Sequence, residues 1–382
     1  MFPALFEKLL GLDLFGYITF RAAAAGLTAF ALALWWGAPA IRWLKRHRVG
    51  EDVKKTDSAD LARMAEAMGK QSTPTMGGSF LVAALLSAVL LWARLDSLHV
   101  VLAVLLTAGF AAVGFVDDFK KLTIRGCKGL STSAKMVGLS VVCVAVLAAL
   151  AFYAWLTGRA TIFSLYPPFL KDAALPLASL GILGVLLFIA FEWVVVVGSA
   201  NAANVTDGLD GLAAGCMLIS GLALSVFCYV TGRPDWTGYL NLPHVRDASE
   251  MAVVGAALSG SCMGFLWYNA FPAKVFMGDS GSLPLGGLLA WMALVSKQEL
   301  VLPLIAFVFV FELSSSALQR FWYRRTGGKR LFTCAPAHHG LQLYGGLFRR
   351  RKEPWHEATI VTRFWILAGA CALASLALLK VR

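Results

Sequence analysis

Charge is scarce in this sequence. Only 15% of its 382 residues are Asp, Glu, Lys or Arg, 58% are hydrophobic, and the mean hydropathy is +0.70. So little charge on so much apolar chain excludes a soluble globular protein and implies a polytopic membrane protein. Two-residue alternation is also missing. The apolar runs are continuous and about 20 residues long, which excludes a membrane barrel and leaves helices. The seven cysteines form no Cys-x-x-Cys pair, and most lie in apolar runs, so neither a structural zinc site nor a disulfide framework is expected. There is no long repeat, no low-complexity tail and no two-half symmetry of the kind that marks many transporters.

What charge there is has a sign. The formal net charge of +12 does not point to nucleic acid, because Lys and Arg collect in loops where they orient a membrane chain. Ten spans are read, at about 17–43, 79–93, 98–116, 134–156, 177–197, 213–230, 250–267, 283–295, 300–322 and 360–379. The first has a faint signal-peptide look around Ala38 and Ala40, but its positive residues (Arg42, Lys45, Arg46, Arg48) follow the apolar run. That order favours a retained span with its N-terminus outside. The expected fold class is therefore an all-α polytopic membrane protein of one domain, 1–382, with both termini periplasmic and five basic loops on the cytoplasmic face.

The stretch Val113-Gly-Phe-Val-Asp-Asp-Phe-Lys-Lys121 stands out. A long apolar run ends in two adjacent carboxylates, Asp117 and Asp118, where a span meets water. Side by side they repel each other and invite a divalent cation, and hard oxygen ligands suit Mg²⁺. The loop 201–213 has no Lys or Arg but carries Asn201, Asn204, Asp207, Asp210 and two glycines in addition to apolar neighbours. It reads as built for contacts, with an Asx-rich helix cap as the plainer alternative. The fourth inside loop sets Asp279 between Gly278 and Gly281, where the backbone can approach a ligand closely. The last inside loop is the most basic and contains His338 and His339. Lys70 to Gly78 is a Pro- and Gly-shaped turn that reads most simply as a re-entry turn into the second span, with N–H groups, threonine hydroxyls and a lysine that could meet an anion as the alternative. Glu192 and Glu312 lie inside spans.

Carboxylates, lysine and histidine on one membrane face suit a Mg²⁺-dependent phosphoryl transfer between a soluble and a lipid substrate. A transporter is the competing class. It would place its acids at the midplane, and only Glu192 and Glu312 fit that.

Several motifs in order carry a resemblance: Ser72-Thr-Pro-Thr-Met-Gly-Gly78, Gly114 to Lys121, Lys128-Gly-Leu130, Asn201 to Ala213, Phe276-Met-Gly-Asp-Ser-Gly-Ser-Leu283, Ala335-Pro-Ala-His-His339 and Arg363-Phe-Trp365. Over essentially its whole length the chain resembles the polyprenyl-phosphate N-acetylhexosamine-1-phosphate transferase superfamily, and within it the phospho-N-acetylmuramoyl-pentapeptide transferases. The resemblance implies a ten-helix homodimer in the bacterial inner membrane. It implies that UDP-MurNAc-pentapeptide and undecaprenyl phosphate give lipid I and UMP, with Mg²⁺, at the cytoplasmic face. By motif, Asp279 is the metal ligand supported by Asp118, and Asp117 is the base that deprotonates the lipid phosphate. Lys121 and Lys70 contact phosphates, and His338 is the catalytic histidine. Thr75, Asn204, Asp207, Gly208, Leu209, Asp210, Asn269, Phe276 and His339 are substrate-binding, with Phe276 stacking on the uracil. Direct attack is expected, the alternative being an intermediate on a carboxylate. A sister enzyme taking a UDP-N-acetylhexosamine without peptide is the runner-up, and Ala335 to His339 favours the muramoyl enzyme. Two departures stand out. Gly340 replaces the family's third histidine and is expected to tolerate one, and 341–352 looks like a basic insertion.

Overall fold

The computed structural model describes residues 13–47, 73–124, 129–169, 174–351 and 353–380. The chain is mostly helical. In order the α-helices are α1 (Ile18–Arg46), α2 (Gly78–Trp92), α3 (Leu98–Thr123), α4 (Thr132–Thr157), α5 (Ile182–Thr206), α6 (Leu212–Thr231), α7 (Pro234–Leu240), α8 (Met251–Asn269), α9 (Asp279–Val295), α10 (Leu302–Ile305), α11 (Phe307–Arg325), α12 (Ala337–Tyr344) and α13 (Glu357–Ala377). Two-residue strands, β1 (Ser164–Leu165) and β2 (Leu175–Pro176), pair antiparallel after α4. The outside stretch expected at 157–176 is thus partly ordered by this pairing.

Among the described residues, seven helices are long and apolar enough to cross a membrane: α1, α3, α4, α5, α6, α13 and the helix made of α8 with the turn before it. The chain is a multi-pass membrane protein by that measure. The other expected spans are α2, with 15 residues, α9, with 17, and a ninth that breaks at Ala306 into α10 and α11. The outer faces of α4 and α5 carry Val137, Val141, Phe152, Trp155, Ile182 and Leu186 fully open. In water such a surface would associate; against lipid it is the expected exterior.

The hub is α9. Every residue from Asp279 to Val295 is buried, against α2, α3, α5 and α6. Lipid gives helices no hydrophobic reason to associate, so close approach of small residues does the work. A Cβ on Gly281 would stand 2.7 Å from the Cα of Gly78, so only glycine lets α2 and α9 touch there. A Cβ on Gly114 would collide with the carbonyl of Asp279, which seats the acidic end of α3 directly on the start of α9. Each is a position where alanine would force the site apart.

The helices differ from expectation at their ends, and the differences matter. α3 continues past 116 to Thr123, so Asp117 and Asp118 lie on helix rather than in a loop. α5 runs through Asn201 and Asn204 to Thr206; the Asn201 amide donates to Val197 O one turn back at 2.8 Å, and Ala200, Ala202 and Ala203 favour helix. The expected outside turn at 297–299 is buried, its Lys297 Nζ donating to Ile162 O at 2.7 Å and lying 3.5 Å from Glu299.

Candidate active site at one end of the bundle

The C-terminal ends of α3, α5 and α8 meet the N-terminal ends of α2, α4, α6, α9 and α13. That end gathers the polar motifs. The carboxylates of Asp117, Asp118 and Asp279 each offer an oxygen, and these lie within 4.8 Å of one another with all three residues buried. Each is held from a different direction. Asp117 accepts the N–H of Leu130 at 2.8 Å. Asp118 accepts the N–H of Ser280 at 2.9 Å and of Asp279 at 3.3 Å, so it caps the first turn of α9. Asp279 accepts the Asn204 amide at 2.5 Å, and the same amide donates to Ser282 Oγ at 3.0 Å.

Two ammonium groups face these acids. Lys121 Nζ is 2.6 Å from Asp117, 3.4 Å from Asp118 and 3.3 Å from Asp279. Lys135 pairs with Asp279 and lies 3.3 Å from Asp117. Three carboxylates against two ammonium groups leave one negative charge over. Buried, converging and rich in hard oxygen, the set could hold a metal ion.

Around this core the backbone of two loops is paired. Phe276 N–H donates to Pro74 O, Gly77 N–H to Phe276 O and Gly78 N–H to Met277 O, all at 2.8 Å. Gly278 takes φ +74°, a left-handed conformation that favours glycine, and a side chain there would press on Asp118 Oδ2. Its N–H donates to Asp207 at 3.2 Å. Thr75 and Phe276 stand half-buried beside it.

The 207–211 turn closes the other side. Asp210 accepts the Ala273 N–H at 3.0 Å, and its own N–H goes to Glu357 at 2.8 Å. Asn269 accepts from Gly211 N–H at 3.0 Å and donates to Val275 O at 2.8 Å, so its amide shapes the turn. Leu209 is buried. His338 lies fully buried with Nε2 against Gly208, and Glu312 reaches its Nδ1 at 3.0 Å. His339 is half-buried, Nδ1 3.3 Å from Gln342. Lys70 lies outside the described residues.

Thus Asp117, Asp118, Lys121, Asn204, Asp207, Gly208, Asp279 and His338 form one connected site. Three participants escape the sequence reading. Lys135 looks like an ordinary basic residue of a loop, yet a cation in the first turn of α4 opposes the helix dipole, and that misfit signals a nearby anion. Glu312 belongs to the histidine loop and not to a transport path at the midplane. Glu357 looks like a helix-start acid but is fully buried under Asp210. The segment 345–351 folds back as a cap on the histidine loop: Arg351 N–H donates to Tyr344 O at 2.7 Å and Thr333 N–H to Leu347 O at 2.8 Å.

A helical membrane bundle with an acid and lysine cluster at one end defines a class, and sequence comparison agrees. The chain belongs to glycosyl transferase family 4, whose model matches residues 100–297. Within it the chain is 40% identical over 376 residues to the phospho-N-acetylmuramoyl-pentapeptide-transferase of Neisseria gonorrhoeae, covering 98% of this chain and 97% of that one. The enzyme of the same name from Neisseria meningitidis serogroup C is also 40% identical over 376 residues. That of Oleidesulfovibrio alaskensis is 39% identical over 371 residues, covering 97% and 96% of the two chains.

Proposed function

We propose that this phosphoglycosyl transferase moves phospho-MurNAc-pentapeptide from UDP-MurNAc-pentapeptide to undecaprenyl phosphate, giving lipid I and UMP at the cytoplasmic face of the bacterial inner membrane. The observation that carries the reading is the convergence of Asp117, Asp118 and Asp279 with Lys121 and Lys135 in a chain so similar, end to end, to enzymes of that name. The topology that goes with it is ten spans and two periplasmic termini, in a homodimer.

Asp279 and Asp118 would hold Mg²⁺, with Asp117 alongside. When bound, the ion supplies neutralisation of the diphosphate and orientation of the leaving UMP. The protein's own residues do the rest. Asp117 takes the proton from the lipid phosphate, whose oxygen then attacks the sugar-bound phosphorus directly; that P–O bond forms as the bond to UMP breaks. Lys121 and Lys135 stabilise charge on the equatorial oxygens, and Lys70 adds a phosphate contact. Asp207, Asp210 and the backbone of 207–211 hold the uridine, with Phe276 and Thr75 at its edge. His338 meets the substrate across Gly208, which has no side chain to intervene.

The test is UMP release by purified protein in detergent, given UDP-MurNAc-pentapeptide, undecaprenyl phosphate and Mg²⁺, with and without EDTA. Metal-dependent UMP release with a peptide-bearing lipid product is expected. Release only with UDP-N-acetylglucosamine would reassign the substrate, and metal-independent release would remove Mg²⁺.

A further inference from the structure

The mechanism above uses His338 but not the carboxylate behind it. Glu312 and His338 are both completely buried, and Glu312 Oε2 lies 3.0 Å from His338 Nδ1. The same carboxylate also faces the His338 backbone N–H, at 3.2 and 3.4 Å from its two oxygens. One turn on, Ser315 Oγ accepts the Ala337 N–H at 3.1 Å. Glu312 and Ser315 share one face of α11, so that helix grips the start of α12 at two points. Neither ring nitrogen has a hydrogen-bond partner as the ring stands, Nδ1 facing Glu312 at 3.0 Å and Nε2, on the far side, sitting against Gly208.

We propose that Glu312 is a positioning residue: it holds His338 as the tautomer protonated on Nδ1 and leaves Nε2 as the nitrogen that meets the substrate. This rests on the reading of His338 given above. The physical reason is simple. A carboxylate oxygen has only lone pairs to offer, so at 3.0 Å it favours an imidazole nitrogen that carries a proton over one that carries a lone pair. A neutral ring protonated there carries its free lone pair on Nε2. An acid behind a histidine fixes both ring orientation and tautomer, as it does in hydrolase triads and behind metal-bound histidines.

The proposal is tested on the full chain in detergent by ¹⁵N-histidine NMR, at a pH where the ring is neutral, with His338 assigned by difference from His338→Gln. The wild-type ring should show a protonated Nδ1 and an unprotonated Nε2. Glu312→Gln offers one acceptor and one NH₂. Its oxygen takes the backbone N–H of His338, its NH₂ donates into Nδ1, and the two nitrogen shifts should exchange. Turnover should fall about 10- to 100-fold, while KM for the UDP-linked donor stays within about twofold, as for an interaction made only in the transition state. Glu312→Asp keeps both oxygens and should retain the tautomer and recover part of the rate. A wild-type His338 protonated on Nε2 overturns the proposal, and that spectrum decides even where the glutamine variant does not fold. Unchanged turnover in Glu312→Gln also overturns it. A wild-type chain that turns over no UDP-sugar would remove the proposed function while leaving the tautomer result intact.

Discussion

Both ends of this bundle bury charge, and they do it differently. At the end away from the acidic cluster, Arg21 of α1 meets Glu250 just before α8 in a two-pronged pair of 2.6 and 2.7 Å, with both side chains almost fully enclosed. Glu250 also accepts the Arg94 N–H at 3.3 Å, and Arg21 donates to Trp92 O at 3.3 Å. Charges match one to one and both carboxylate oxygens are used, with Arg21 Nε alone left without a partner in the pair. At the other end three carboxylates converge on two lysines, one charge is uncompensated, and Lys121 keeps about a third of its side chain open. A matched, closed pair fastens helices. An unmatched, partly open cluster is unfinished without a ligand. Burial of charge therefore does not by itself identify a site.

The comparison can be broken from either side. The largest effect is expected from Asp279→Ala, which removes the residue that touches Asn204, Lys121 and Lys135 and leaves the two lysines only Asp117 to share. UMP release should fall by about 10³-fold or more, the range for losing a charge-stabilising group from a closed site. Near-normal turnover at ordinary Mg²⁺ would reduce the cluster to another fastening. Asp117→Asn keeps the shape and the Leu130 hydrogen bond but removes a base; a loss of about 10² to 10⁴-fold is expected with UMP binding, measured by calorimetry, little changed. Lys135→Ala should cost about 10²-fold, with Lys135→Arg recovering part of it. If Lys135→Ala turns over normally, that lysine only balances charge.

The fastening end should behave in the opposite way. Arg21→Ala or Glu250→Ala leaves a buried charge unpaired and should cost about 3–5 kcal/mol of stability, read as thermal unfolding in detergent, while the folded fraction keeps its turnover. Replacing both, as Arg21→Met with Glu250→Leu, should restore most of the loss, because well-packed apolar residues replace a buried pair at little cost. A double variant as unstable as the singles would show that this pair does more than fasten.

This contrast also explains what could be read from the sequence. The helical membrane class followed from composition, and among the described residues seven of the ten expected spans are helices long and apolar enough to cross a membrane, because runs of apolar residues leave few alternatives. Asp117, Asp118 and Asp279 were visible because acids at the ends of apolar runs are rare. Lys135 and Glu357 were not, and Glu312 was visible only as an acid inside a span. Their partners are 144, 147 and 26 residues away along the chain, and no short motif reaches across such distances. Arg21 and Glu250 were invisible for the same reason, being 229 residues apart. Helix ends were misplaced where the site itself continues the helix, at α3 and α5.

The smallest effect tests the histidine loop at Gly340. A histidine at 340 looks harmless in sequence, but Gly340 is buried on α12, and a Cβ there would lie 3.0 Å from Thr333 Oγ1 and 3.2 Å from Cys334 O. Neither neighbour is free to give way: the Thr333 hydroxyl donates to Gly346 O at 2.7 Å and its N–H to Leu347 O at 2.8 Å, tying it to the cap formed by 345–351. Alanine in place of a helical glycine gains about 1 kcal/mol in propensity, while overpacking of this kind costs about 1–3 kcal/mol. Crowding should win narrowly, so Gly340→Ala should lower stability by about 1 kcal/mol and Gly340→His by more. Combining Gly340→Ala with Thr333→Ala removes the clashing hydroxyl, so the glycine change should cost less in that background than alone, read as the coupling term of a double-mutant cycle. Equal cost in both backgrounds would mean that Thr333 yields after all, and that the glycine answers to something other than the space around it.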